Sequence, residues 1–210
     1  MIVKKIKVGS IDTNCIIVLD ETTGACAVVD PGDEATLILQ EIEALSGRLE
    51  AIFLTHGHFD HMLAAQALKE ATGAKLYMHE SDLPFLESYN LQFQPRLAGS
   101  YRQPVVDVYL TDGMKIQVGK LTFTVLNTPG HSKGSCVLLC ENHMFAGDTL
   151  FRANCGRCDL AGGSLAEMYQ SLKRLHDLQG DYTVYPGHGP STTLAEERRI
   201  NPYMKEAFTQ

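Results

Sequence analysis

Residues 53–62 read FLTHGHFDHM, and His56, His58, Asp60 and His61 fall within six of these positions. Only 8 of 210 residues are histidine, so the concentration needs a reason. The run AIFL, 51–54, is continuously apolar, as a buried strand is. A helical pattern then runs from about Phe59 through Leu63, Ala67 and Leu68 to Gly73. The stretch therefore lies where a strand passes into a helix. Side chains two apart in extended backbone face the same way, so His56 and His58 point together into one space beyond the strand. Asp60 and His61 fall in the first helical turn, displaced to one side, where the N-terminus favours a carboxylate. This arrangement can serve two adjacent metals. A lone histidine is usually an ordinary surface residue, but four ligand types at this spacing are not. The pattern is not H-E-x-x-H, which needs a helix and supplies a glutamate base.

Half a ligand set sends the search along the chain. NTPGHSKGS places His131, and YPGHGPST places His188, each in a Pro-Gly turn after an apolar run. MFAGDTLF places Asp148 after a short apolar strand. Proline and glycine let the backbone turn sharply and approach closely at such points. Together the four places offer five histidines and two aspartates. That set suits two metal ions with about three protein ligands each and one shared carboxylate. His79, His143 and His176 lie outside these turns and read as ordinary residues.

Two β-rich runs, each followed by helices, imply sheet packed on sheet with helices on the outer faces. IVKKIKV, CIIVLD and ACAVVDPG are short strands, and Asp33 is placed to cap a helix carrying Leu37, Ile38, Ile42 and Leu45, with Gly47 at its end. KLYMH reads as a strand and 82–89 as a helix. Further strands are expected near 105–110, 114–118, 121–127, 136–140 and 143–146, and at 183–186. Ser164 and Glu167 match a capping box opening a helix with Leu165, Met168, Leu172 and Leu175, and 192–206 reads as a closing helix. With no linker or charge run, 1–210 reads as one domain.

A net charge of −7 argues against a general nucleic-acid binder or a membrane-surface stripe. No apolar run approaches the ~20 residues of a membrane span, and no signal-peptide core is evident, so the cytoplasm is the expected location. Cys15, Cys26, Cys136, Cys140, Cys155 and Cys158 then read as thiols. Cys155 and Cys158 form a single CxxC, which is weak evidence for zinc without a second pair.

The chain resembles the metallo-β-lactamase-fold hydrolases, and within them the short glyoxalase II-like (hydroxyacylglutathione hydrolase-like) proteins. THGHFDH is similar to the family's T-H-x-H-x-D-H, and TPGHSKGS, FAGDTLF and YPGHGP resemble its later motifs in order. GRCDLAGGS and the closing E-x-x-x-N-P, Glu197 to Pro202, resemble the glyoxalase II-like branch. The resemblance implies an α+β fold, an αβ/βα four-layer sandwich of two mixed sheets with the site at one edge. It implies a first metal held by His56, His58 and His131, a second by Asp60, His61 and His188, and Asp148 between them. Zinc is the first expectation, with iron or manganese as alternatives, since such ligands accept all three. Cysteine and arginine replace Asp148 and His61 in β-lactamases of the commonest type, so β-lactam hydrolysis is not implied. Where full glyoxalase II has lysine and tyrosine facing glutathione, this chain has Arg157 and Asp159.

The expected activity is hydrolysis of small anionic thioesters by attack of a metal-bridging hydroxide on the acyl carbonyl, with Asp60 and Asp148 positioning it and Arg157 meeting a substrate carboxylate. One alternative is a mononuclear iron persulfide dioxygenase, whose CGR-x-D resembles Cys155 to Asp159. Others are a lactone or other ester hydrolase and a metal-stabilised binding module. A structural zinc site is closed and sulfur-rich, which sets the last apart from these ligands.

Overall fold

The computed structural model describes residues 1–86 and 102–209, and in it the apolar runs become two sheets. The first contains β1 (Ile2–Val8), β2 (Thr13–Leu19), β3 (Ala25–Val29), β4 (Arg48–Phe53), β5 (Lys75–His79) and β6 (Val108–Leu110), paired in that order. β1 to β3 are antiparallel and β3 to β6 parallel. Helix α1 (Ala35–Ala44) joins β3 to β4, and α2 (Ala65–Thr72) joins β4 to β5. The second contains β7 (Lys115–Val118), β8 (Leu121–Asn127), β9 (Cys136–Cys140) and β10 (His143–Gly147). Two later strands, β13 (Thr183–Pro186) and β14 (Thr192–Thr193), extend it in the order β14-β13-β10-β9-β8-β7. Between β10 and β13 the chain forms the hairpin β11 (Leu150–Phe151) and β12 (Asn154–Cys155), then helix α3 (Leu165–His176). Helices α4 (Leu194–Ile200) and α5 (Pro202–Glu206) follow β14. The second sheet is mixed too, because β10 and β13 are parallel neighbours within otherwise antiparallel pairs.

Alternation along the strands divides the interior into three cores, the signature of four layers. On β2, Ile16 and Val18 face the second sheet and pack with Phe53, Phe123 and Phe145. Ile17 and Leu19 face the other way, onto Ile38 and Ile42 of α1 and Leu68 of α2. On the far side of the second sheet, Met144, Ala146 and Val184 meet Met168, Leu172 and Leu175 of α3. β2 is buried at all seven positions because both its faces are covered.

Several elements differ from their sequence reading, each for a local reason. Glu34, in left-handed backbone at φ 58°, is the first flanking residue of α1, while Asp33 only accepts the Glu34 N–H. At the other end Ser46 takes the left-handed conformation, with φ 54°. Gly47 follows it and donates to Ile42 O, closing a Schellman pair with Ser46 N–H to Glu43 O. The single helix expected over 59–73 is two pieces, a 3₁₀ turn at Phe59–His61 and then α2, which Gly73 ends at φ 74°. Ser164 caps α3 by accepting from Glu167 N, but its own N–H donates to Gly130 O, so the capping box is half used. The strand expected at 105–110 is only Val108–Leu110, and the closing helix breaks at Asn201-Pro202 into α4 and α5. After β5 a 3₁₀ turn, Glu80–Asp82, leads into helical backbone as far as Leu86, and the rest of the expected helix at 82–89 lies outside the described residues.

Candidate metal centre

The seven predicted ligands come from strand exits of both sheets and meet at one edge. β4 delivers His56 and His58, and the 3₁₀ turn that follows delivers Asp60 and His61. β8 leads to His131, β10 to Asp148 and β13 to His188. Ligand atoms fall into three overlapping groups, each within 4.8 Å: His56, His58 and His131; His56, His61 and Asp148; Asp60, His61 and His188. His58 Nδ1 lies 2.9 Å from His131 Nε2. Asp60 Oδ2 lies 3.2 Å from both His61 Nε2 and His188 Nε2. Asp148 stands between the groups, with Oδ1 3.6 Å from His61 Nε2 and Oδ2 3.5 Å from His131 Nε2. Two atoms bound at ~2.1 Å to one tetrahedral ion lie roughly 3.4 Å apart, so these separations suit a divalent ion.

Second partners fix which nitrogen of each ring faces inward. His56 Nδ1 is 3.0 Å from Thr55 Oγ1, and Thr55 Oγ1 donates to Asp30 at 2.7 Å. His61 Nδ1 is 3.0 Å from Asp30 Oδ2, and His131 Nδ1 is 2.8 Å from the carbonyl of Arg157. Each of the three rings is thus held through Nδ1 and aims its Nε2 into the cluster. His56 Nε2, His61 Nε2 and Asp148 Oδ1 are buried and have no hydrogen-bond partner. An orphaned buried polar atom costs about 1–3 kcal/mol, so three converging ones fit a bound cation.

Burial holds His56 well below the ordinary histidine range and His58 at about 3, with the neighbouring histidines adding to the effect. Burial also opposes the charged forms of Asp60 and His61. Their mutual attraction wins, so Asp60 lies well below the usual carboxylate range and His61 well above the usual imidazole range. The ligands are thus arranged as neutral imidazoles on one side and an acid-base cluster on the other. The first group is sealed, while His188 is 29% exposed, so the open side lies there. Phe85 stands edge-on to His58 at 5.4 Å, and Phe151 lies 6.4 Å from His188.

Close backbone approach explains the glycines. A Cβ on Gly187 would collide with Asp148 Oδ1 and stand 2.6 Å from His61. Asn14 fastens the last ligand turn: its Nδ2 donates to Pro186 O and Gly189 O at 2.9 Å, and its backbone N–H to Gly187 O. Asn14, Asp30 and Asp82 are the site residues that the sequence reading missed, although Asp30 stands in the glycine-flanked turn VVDPG. Arg157 is brought beside the cluster by its carbonyl, but its guanidinium forms a two-pronged pair with Asp159 at 2.7 and 2.8 Å. Cys155 and Cys158 are free thiols, the first raised to about 12 by burial. His79, His143 and His176 lie outside the cluster: they contact Ser81 N, Tyr185 and Asp177.

Residues 8–188 match the family model described as the metallo-beta-lactamase superfamily. The chain belongs to that superfamily. It is 33% identical over 214 residues to the hydroxyacylglutathione hydrolase GloC of Haemophilus influenzae, covering 97% of this chain and 98% of that one. Among solved structures it is similar to the BLEG-1 B3 metallo-beta-lactamase, at TM-score 0.88 and 32% identity over 97% of this chain and 99% of the other. It is also similar to TTHA1623 in a di-iron-bound form, at TM-score 0.84 and 36% identity, covering 95% and 99%. ETHE1 from Myxococcus xanthus matches at TM-score 0.81 and 31% identity, covering 96% and 84%. Superfamily membership accounts for the sandwich. No helix among the described residues is long and apolar enough to cross a membrane.

Proposed function

We propose that this superfamily member is a dinuclear metal-dependent hydrolase of small anionic thioesters. The observation that carries the reading is the pair of ligand groups joined at Asp148, one sealed and one open toward His188. His56, His58 and His131 would hold one ion and Asp60, His61 and His188 the other, with Asp148 facing both. Divalent ions there would lower the pKa of a bound water toward ~7 and polarise the acyl carbonyl. Asp60 and Asp148, set among the histidines, would orient the attacking water by accepting its proton in a hydrogen bond. Asp30 keeps the His61 and His56 rings aimed inward, so the geometry is set before substrate arrives. Among the described residues that group at the site, no acid besides Asp60 and Asp148 is found. A thiol, with pKa near ~8.5, departs as thiolate without one, whereas an amine does not. Arg157, exposed beside the cluster, would exchange Asp159 for a substrate carboxylate.

One observation favours a second reading. His56, His61 and Asp148 together form a two-histidine, one-carboxylate set, which suits mononuclear iron and oxygen chemistry. On that reading the substrate is a glutathione persulfide.

Metal analysis after anaerobic purification, paired with a panel of thioesters, lactones and a β-lactam, tests both. Two equivalents of metal and turnover of S-lactoylglutathione or a related thioester are expected. One iron with rapid oxygen uptake on glutathione persulfide would sink the hydrolase.

A further inference from the structure

Behind the sealed ligand group stands a carboxylate that the reaction itself does not use. Asp82 lies on the 3₁₀ turn after β5 and is fully buried. Its Oδ2 accepts from Gly57 N–H at 2.9 Å and from Ser132 Oγ at 2.7 Å, and its Oδ1 accepts from Gly134 N–H at 2.7 Å. Gly57 separates His56 from His58, and Ser132 and Gly134 follow His131. A Cβ on Gly134 would stand 2.6 Å from the carboxyl carbon, so this close approach needs glycine there. Ser135 Oγ lies 2.8 Å from Ser132 Oγ and accepts the Ser132 N–H, which completes the turn.

We infer that Asp82 is a positioning residue for one metal only: it ties the His56–His58 turn to the His131 turn and so sets the ligand group those three histidines form. None of its hydrogen bonds reaches Asp60, His61 or His188. Those ligands are fixed instead by Asp30, Asn14 and the Thr13–His188 bridge. The same turn leads into the segment that sets Phe85 against His58, so one anchor places both the ligand pair and its apolar cover. The inference rests on the dinuclear reading above.

Its test is metal binding, read by titration of the chelated protein with zinc and by the visible spectrum of the cobalt-loaded form. Asp82→Asn should bind the ion of the three-histidine group about 10- to 100-fold more weakly, the usual effect of losing an outer partner. It should keep the other ion unchanged, so one cobalt spectrum is lost and one retained. Ser132→Ala, which removes one donor and leaves the carboxylate, should give the same selectivity with a smaller shift and covers the case of an Asp82→Asn chain that does not fold. Two ions weakened equally would reduce Asp82 to a general stabiliser and overturn the inference, as would two ions bound as in the parent. A parent chain that binds no metal at all would overturn the proposed function first, and this inference with it.

Discussion

At Asp30 a left-handed backbone, φ 52°, turns one carboxylate toward both Thr55 and His61. Asp30→Asn keeps the shape but loses charge and acceptor capacity, so zinc affinity should fall about 10- to 100-fold in a competition titration, with the His61 ion affected most. Arg157 poses a different question, because its charge is already met by Asp159. Both side chains are more than half exposed, and an exposed pair is worth at most about 1 kcal/mol, so a substrate carboxylate can displace Asp159 cheaply. Arg157→Ala should therefore raise KM for anionic thioesters roughly fivefold and leave kcat and neutral thioesters nearly unchanged. Steady-state kinetics on a charged and uncharged pair decides this. All seven expected ligands could be read in the sequence because each sits beside turn residues with a characteristic spacing. Asp30, Asp82 and Asn14 could not, since their meaning lies in partners 25 to 175 positions away.

The helices and turns show where local signals held and where packing overrode them. Most strands are legible as short apolar runs between turn residues, the brief β11, β12 and β14 excepted, and so is α3, where Ser164 accepts from Glu167 N–H. Periodicity predicts one helix over 59–73 because it does not register that Asp60 and His61 both turn inward. A 3₁₀ turn permits that, with Met62 N–H bonding back to Phe59 O. At the C-terminal end the E-x-x-x-N-P signature proves to be a clamp on β11 and β12. Buried Glu197 accepts from Ala153 N–H and Thr192 Oγ1, while Asn201 Nδ2 donates to Phe151 O and Asn154 O. Asn201 Oδ1 also caps α5 through Tyr203 N–H and Met204 N–H. Asn201→Ala should cost about 2–4 kcal/mol in urea denaturation, combining a lost cap with buried carbonyls left unpaired. Gly187→Ala acts on a turn instead. Its methyl would push Asp148 and His61 apart, so metal affinity and activity should both fall sharply in a chain that still folds.

The whole molecule joins its two sheets through the aromatic contact of Phe53 with Phe123 and, at the site edge, through the Asn14 and Cys136 backbone bonds to Gly187 and Thr55. The candidate ligands come from both sheets, so bound ions would cross-link the halves. At a metal concentration 100 times Kd, one ion adds about 2.7 kcal/mol, so chelation should lower Tm by roughly 5–10 °C in calorimetry. The chelated protein should also be acid-sensitive. The unfolded chain protonates His58 near its ordinary 6.5, but the folded chain only near 3, so folded stability falls as pH drops through that window. His56 is shifted in the same direction. His61 and His188, shifted up, change their contribution above 6.5 and leave the acid limb to the other two. Denaturant midpoints of the chelated protein between pH 7 and pH 4 measure this slope. The site's split origin has a practical side. The exposed turn Thr111–Gly113 is where the chain passes from one sheet to the other, with Gly113 at φ 75°. Cut there, the chain yields a front piece with four of the ligands and a rear piece with three, each bearing one face of the same interior. Co-expressed as separate polypeptides, the two should reassemble more tightly with zinc than with chelator, making the protein a metal-gated split reporter.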